Sequence, residues 1–179
     1  MPTPRTIGAL LAVLTLTLLS GACAAGSWAT HPQTVDPHTL IDVRGAIGGI
    51  HAGETRGQAE RVLGRGTTIS TTIRHPKSGG YTLARVAYPG SGLVVVYSEP
   101  AHRRPIVFGI FTSSRRYHTA SGLRVGSTLG HARRTPGVRC VHQVGEIDCQ
   151  GGLGYERPVT GFTVRHGRVV DVFMAAVAD

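Results

Sequence analysis

Three cysteines carry the clearest chemistry in this 179-residue chain: Cys23, Cys140 and Cys149. The last two bracket the segment VHQVGEID. Folding that segment about Val144-Gly145 sets Gln143 opposite Glu146, His142 opposite Ile147, Val141 opposite Asp148 and Cys140 opposite Cys149. Counted outward from a two-residue hairpin turn, the cysteines fall on a pair that exchanges no hydrogen bonds, where side chains approach most closely. A cross-strand disulfide is expected, adding about 2–3 kcal/mol on chain-entropy grounds. Half of a zinc site is the competing chemistry, and it needs two further ligands.

Nucleophilic catalysis has a weaker case. His118 or His131 with Ser121 or Ser127 supplies a base and a hydroxyl, but no carboxylate is placed to orient the imidazole. The sequence contains no GxSxG elbow, HExxH pair or phosphate-binding loop. Its nine histidines have no metal-ligand spacing. The close acidic pair Glu146 and Asp148 belongs to the expected hairpin. The chain is read as non-enzymatic, with no catalytic residue, cofactor or metal; a small secreted hydrolase is the weakest of three functional readings.

Charge offers the second reading. Lysine and arginine total 19 against 10 acidic residues, a net charge of +9. Only Lys77 is a lysine. The tightest pairs are Arg103-Arg104, Arg115-Arg116 and Arg133-Arg134. A strand between the first two holds them about 25 Å apart. No continuous phosphate track results, so no nucleic-acid partner is expected. Binding of an anionic envelope polymer or lipid through Arg115, Arg116, Arg133 and Arg134 remains the alternative.

The N-terminus gives the address. Arg5 precedes an apolar run from Ile7 to Leu19, too short for a spanning helix and followed by small residues. Residues 1–23 read as an export signal and 24–40 as a flexible tether. Two processing routes fit. Ala22 and Ala24 form a small-x-small cleavage site, which frees the protein. Leu19-Ser20-Gly21-Ala22-Cys23 instead resembles a lipoprotein box, although Ser20 stands where an apolar residue is usual. Lipidation at Cys23 would anchor the chain to the outer side of the cell membrane. With Cys23 in the export region, Cys140 and Cys149 form an even pair, as an oxidising destination favours.

The elements that must position these residues show a repeat. GIHAGETRGQAERVLG at 49–64 returns as GLRVGSTLGHARRTPG at 122–137, with seven of sixteen positions identical at an offset of 73. One structural unit is used twice. In the first copy Thr55 caps a helix with Gln58 completing a capping box, and Gly64 stops it. Ala59, Val62 and Leu63 are expected to face the core. In the second copy Thr128 caps, Leu129 and Ala132 face inward, and Pro136-Gly137 ends the helix. Gly57 and its equivalent Gly130 imply close backbone packing.

Strands are expected at Thr67–Arg74, Tyr81–Tyr88, Leu93–Ser98, Ile106–Thr112, Val138–Gln143, Glu146–Gln150, Thr160–Arg165 and Val169–Ala175, with His166-Gly167 as a hairpin turn. Leu40–Val43 is a short extended segment before them. The expected fold is α+β, a single domain at 41–179 of two tandem units, about 41–113 and 114–179. Each unit has a short helix and a four-stranded antiparallel sheet, with the helices packed on one face.

The pattern Gly-x-x-x-Gly-x-Thr, then a short helix and Leu-Gly, resembles the repeat of the β-lactamase-inhibitory-protein-like group. It is similar, too, to the element of the SmpA/OmlA-type outer-membrane-assembly lipoproteins. The residues that carry it are Gly49, Gly53, Thr55, Val62, Leu63 and Gly64, then Gly122, Gly126, Thr128 and Gly137. Glu54 and Ser127 depart from the methionine frequent in the family, and Thr135-Pro136 from its Val-Leu. The resemblance implies an exported, non-enzymatic protein-binding module, inhibitor-like in kind. The matched positions are turns and caps, so no contact residue carries over.

Strand composition points the same way. Leu93–Tyr97 is apolar at every position, and Ile106–Phe111 and Val169–Met174 are apolar on both sides. Such strands want cover on both faces. Two short helices cover one face, leaving the other partly open to a partner protein of the envelope or exterior, or to a second copy in a homodimer. Tyr88, Tyr97, Phe111, Arg115, Arg116 and Tyr117 are the candidate binding surface, being residue types that dominate interfaces. A membrane is approached only through the lipid anchor.

Overall fold

The computed structural model describes residues 36–74, 81–100, 104–143, 146–152 and 158–176. The export signal with Cys23, most of the tether, Arg103, the Val144-Gly145 turn and Tyr155 lie outside the described residues.

Two glycines start the fold. Gly48 and Gly49 take φ of 64° and 79°, the left-handed pair that a tight hairpin needs. Around that turn β2 (Ala46–Ile47) pairs with β3 (Ile50–His51), and β1 (Ile41–Asp42) pairs with β2. These three strands make a small sheet of their own. Next come α1 (Arg56–Leu63), then β4 (Thr67–Arg74), β5 (Tyr81–Tyr88), β6 (Leu93–Pro100) and β7 (Ile106–Thr112). The second copy gives α2 (Leu129–Arg134), β8 (Val138–Gln143), β9 (Glu146–Gly151), β10 (Val159–Arg165) and β11 (Arg168–Ala175).

The expected α+β arrangement of two helix-plus-four-strand units is overturned. The protein is mostly β. Its long strands form one eight-stranded antiparallel sheet in the order β4-β5-β6-β7-β11-β10-β9-β8. The physical reason is the pairing of β7 with β11, where Phe111 lies opposite Phe173 and Ile110 opposite Met174. That pairing removes the edge at which two separate sheets would have ended. Helices of eight and six residues are too short to form a layer. The small sheet at 41–51, of which the sequence predicts only the extended segment Leu40–Val43, supplies cover alongside them.

The repeat survives as a hydrogen-bonding pattern. Gly53 N donates to Val107 O at 2.8 Å, and Val107 N to Glu54 O at 2.7 Å. In the second copy Gly126 N donates to Val169 O at 2.8 Å, and Val169 N to Ser127 O at 2.9 Å. Each glycine elbow thus staples one helix start to β7 or β11, the two strands that meet mid-sheet. Thr55 accepts from Gln58 N while Gln58 Oε1 accepts from Thr55 N, a complete capping box. Thr128 accepts from His131 N at α2.

Two local expectations fail. Val62 is exposed, and only Ala59 of α1 is buried, with Leu63 partly so. A Cβ added at Gly57 would meet nothing within 4 Å, and one at Gly130 would meet only the side chains of Arg134 and Thr128. Neither glycine is required by close backbone packing.

The core lies on one face of the large sheet. Val86, Tyr88, Leu93, Val95, Tyr97, Val107, Ile110, Phe162, Val164, Val172 and Met174 point into it. Ile41, Ile47, Ile50, Ala59, Tyr117, Leu123 and Ala132 close it from above.

Candidate functional site

Strand alternation fixes what the opposite face presents. The row through Phe111 reads Ala87, Val94, Phe111, Phe173 and Gly161 across neighbouring strands. Phe111 is 39% exposed, the most exposed aromatic ring on the described sheet. Its ring stacks on Phe173 at 6.3 Å between centroids and 24° between planes. Such a pair adds about 0.5–1.5 kcal/mol beyond burial.

Two strand glycines shape this face. A Cβ at Gly161 would collide with the Phe173 ring, which lies over it. A Cβ at Gly109 would stand 3.4 Å from the Phe111 ring and 3.2 Å from Met174 O. The missing side chains let the rings lie down and leave hollows beside them. One cleft of about 330 Å³ is lined by Leu83, Arg85, Val96, Phe108, Gly109 and Phe111. A second of about 330 Å³ lies on the other side, with Val94, Phe111, Thr163, Asp171 and Phe173 in its wall. The Arg85 guanidinium sits 5.9 Å from the Phe111 ring centroid, within cation–π range. The site is an apolar aromatic ridge between two shallow hollows, suited to packing against another surface.

Of the six expected surface residues, three point the wrong way. Tyr88, Tyr97 and Tyr117 are 1%, 0% and 1% exposed. Tyr88 and Tyr97 alternate with Ala87 and Val96 and fall on the core side. Their hydroxyls hydrogen-bond each other at 2.7 Å, and Tyr117 donates to Ser91 O at 2.9 Å. Burial pushes all three phenols above their ordinary value, Tyr97 furthest, with its hydrogen bond to Tyr88 adding to the shift. Arg115 and Arg116 are exposed on a turn after β7, and the Arg115 guanidinium lies beside Gly126. Phe111 alone of the six stands at the ridge. Sequence reasoning missed Phe173, Arg85 and Asp171; the glycines inside IVFGIFT and VTGFTVR were the available signal.

The Cys140–Cys149 disulfide forms, with Cα atoms 3.8 Å apart. Its hairpin has the expected register, from Val141 opposite Asp148 to Gln143 opposite Glu146. A cleft near its tip holds His142, Glu146, Arg165 and His166, but Arg165 takes the Glu146 carboxylate at 2.7 Å. Among the described residues no group of His, Cys, Asp and Glu is placed to hold a metal.

The histidine–serine pairs do not assemble as nucleophile and base. His131 Nε2 lies 3.0 Å from the Ser121 carbonyl, not its hydroxyl. Ser121 Oγ pairs with Thr119 Oγ1 at 2.9 Å. His118 Nδ1 lies 3.0 Å from Thr119 O, and Ser127 Oγ accepts from Arg124 N. Among the described residues no helix is long and apolar enough to cross a membrane. No protein-family model, curated protein or solved structure matches the chain.

Proposed function

We propose that this chain is an exported, non-enzymatic protein-binding module that engages its partner through the uncovered face of the large sheet. The observation that carries the reading is the half-wetted Phe111–Phe173 pair between two hollows, on the face opposite the buried Tyr88 and Tyr97. Buried aromatic anchors dominate interface energy, and an exposed ring flanked by two hollows offers such an anchor to another surface. The disulfide fits an oxidising destination. Whether Cys23 carries lipid or is removed with the signal is decided by the mass of the mature N-terminus.

The test is Phe111→Glu. The side chain is already partly in water, so the cost to folding should be that of the lost stacking and partial burial, about 1–3 kcal/mol, and folding of the variant is checked by its denaturant midpoint. Capture of an envelope or secreted protein by the purified chain is expected to fall at least about tenfold, the loss of one modest anchor. Undiminished capture by a folded Phe111→Glu variant would overturn the reading.

A further inference from the structure

Arg85 and Asp171 are the charged side chains that line the hollows on either side of Phe111. The register puts them on opposite sides of that ring. Arg85 pairs with Val96 and Val96 with Gly109, so Arg85 lies two strands away, level with the residue two before Phe111. Asp171 lies one strand away on the other flank, two residues before Phe173, the direct partner of Phe111. Because β11 runs antiparallel to β7, it is displaced along the sheet in the opposite sense. From ordinary sheet spacings Arg85 stands about 12 Å and Asp171 about 8 Å from the Phe111 backbone. Neither takes part in a salt bridge among the described residues.

A cation and an anion flanking an exposed ring make a self-complementary surface. Consider a two-fold axis lying between two such faces, beside Phe111 and diagonal to the strands. It sets Arg85 of each copy against Asp171 of the other and brings each Phe111 to its own counterpart. The two sheets then cross near a right angle, one of the two packing geometries open to stacked sheets. Two-fold contacts of this kind are the commonest in homo-oligomers. The net charge of +9 opposes a general approach of two copies, so a docking contact must bring opposite charges together locally, as this one does.

We propose that the open face is occupied by a second copy of this chain, joined through Phe111 at the two-fold axis and two Arg85–Asp171 pairs. The inference rests on the reading of this face as the recognition surface and names its partner.

Sedimentation equilibrium of the full secreted chain tests it. The wild type is expected to dimerise, less strongly at high salt. Arg85→Asp and Asp171→Arg, each alone, oppose like charges and should weaken dimerisation at least about tenfold. Arg85→Asp combined with Asp171→Arg should recover it, which a merely structural role for either residue does not predict. Ile73→Lys, on the exposed edge strand β4, should leave it unchanged.

A monomer at every concentration, single reversals without effect, or loss of the dimer in Ile73→Lys would each overturn the proposal. Failure of the recognition reading looks different. A monomeric chain whose capture of another protein needs Phe111 keeps that reading and ends this one. Charge-swap rescue with capture indifferent to Phe111 does the reverse.

Discussion

The Tyr88 and Tyr97 hydroxyls are buried 2.7 Å apart, each the other's partner. Tyr88→Phe would leave the Tyr97 hydroxyl unpaired in the core, a cost of about 1–3 kcal/mol. Replacing both by Phe removes the orphan as well as the bond, so the double variant should lose less than the sum of the two single variants. Urea unfolding of the four proteins measures that coupling, and strict additivity would exclude it. The same phenols limit stability at high pH. Their folded pKa values are raised, so their contribution is complete below the unfolded value of about 10 and is lost as pH rises beyond it. The residue types of these side chains were legible, but not their direction. Leu93–Tyr97 is apolar throughout, so alternation within the strand gives no sign of which side is wet. Only the cross-strand register, Tyr88 with Leu93 and Ala87 with Val94, assigns the faces.

The two edge strands of the sheet are managed differently. On β8 the disulfide ties Cys140 to Cys149 of β9. On β4 every residue from Thr67 to Ile73 is exposed and none is charged. Replacing both cysteines by alanine should lower unfolding stability by about 2–3 kcal/mol, because a short loop in the unfolded chain is released. The change should appear in the denaturant midpoint; an unchanged midpoint would mean that β8 is held by its ladder alone. This hairpin was legible because turn length and cysteine spacing both specify one register. Helix starts were legible from Thr55, Gln58 and Thr128, whose hydroxyl and amide groups have few other uses there. The sheet at 41–51 was not, since strands of two residues are shorter than one alternation period. Nor was the outward turn of Val62, since in a helix of two turns residue type alone does not say which side meets the core.

At the scale of the molecule, the decisive contact joins strands that are far apart in sequence. The repeat at 49–64 and 122–137 implies two similar units, yet nothing local in Ile106–Thr112 or Arg168–Ala175 says that they pair with each other. That pairing turns two units into one sheet, and it places Phe111 and Phe173 side by side on the open face. One sheet implies one unfolding event. Gly53 and Gly126, at φ of 81° and 90°, hold equivalent elbows in the two copies. Alanine at either position should cost about 1–2 kcal/mol through the left-handed backbone alone. At Gly53 nothing lies within 4 Å of the added Cβ, and at Gly126 the nearest atoms belong to the Arg115 side chain. The sites sit in different copies and share no partner, so their effects should add. If the sheet is a single cooperative body, Gly53→Ala and Gly126→Ala each shift one and the same thermal transition. Hydrogen exchange of β5 and β10 amides should then speed up together in both variants. A biphasic melt, or exchange accelerated only in the mutated half, would show that the β7–β11 seam opens before either half unfolds. The aromatic pair would then straddle a hinge, and the ridge at Phe111 would lose its rigid footing.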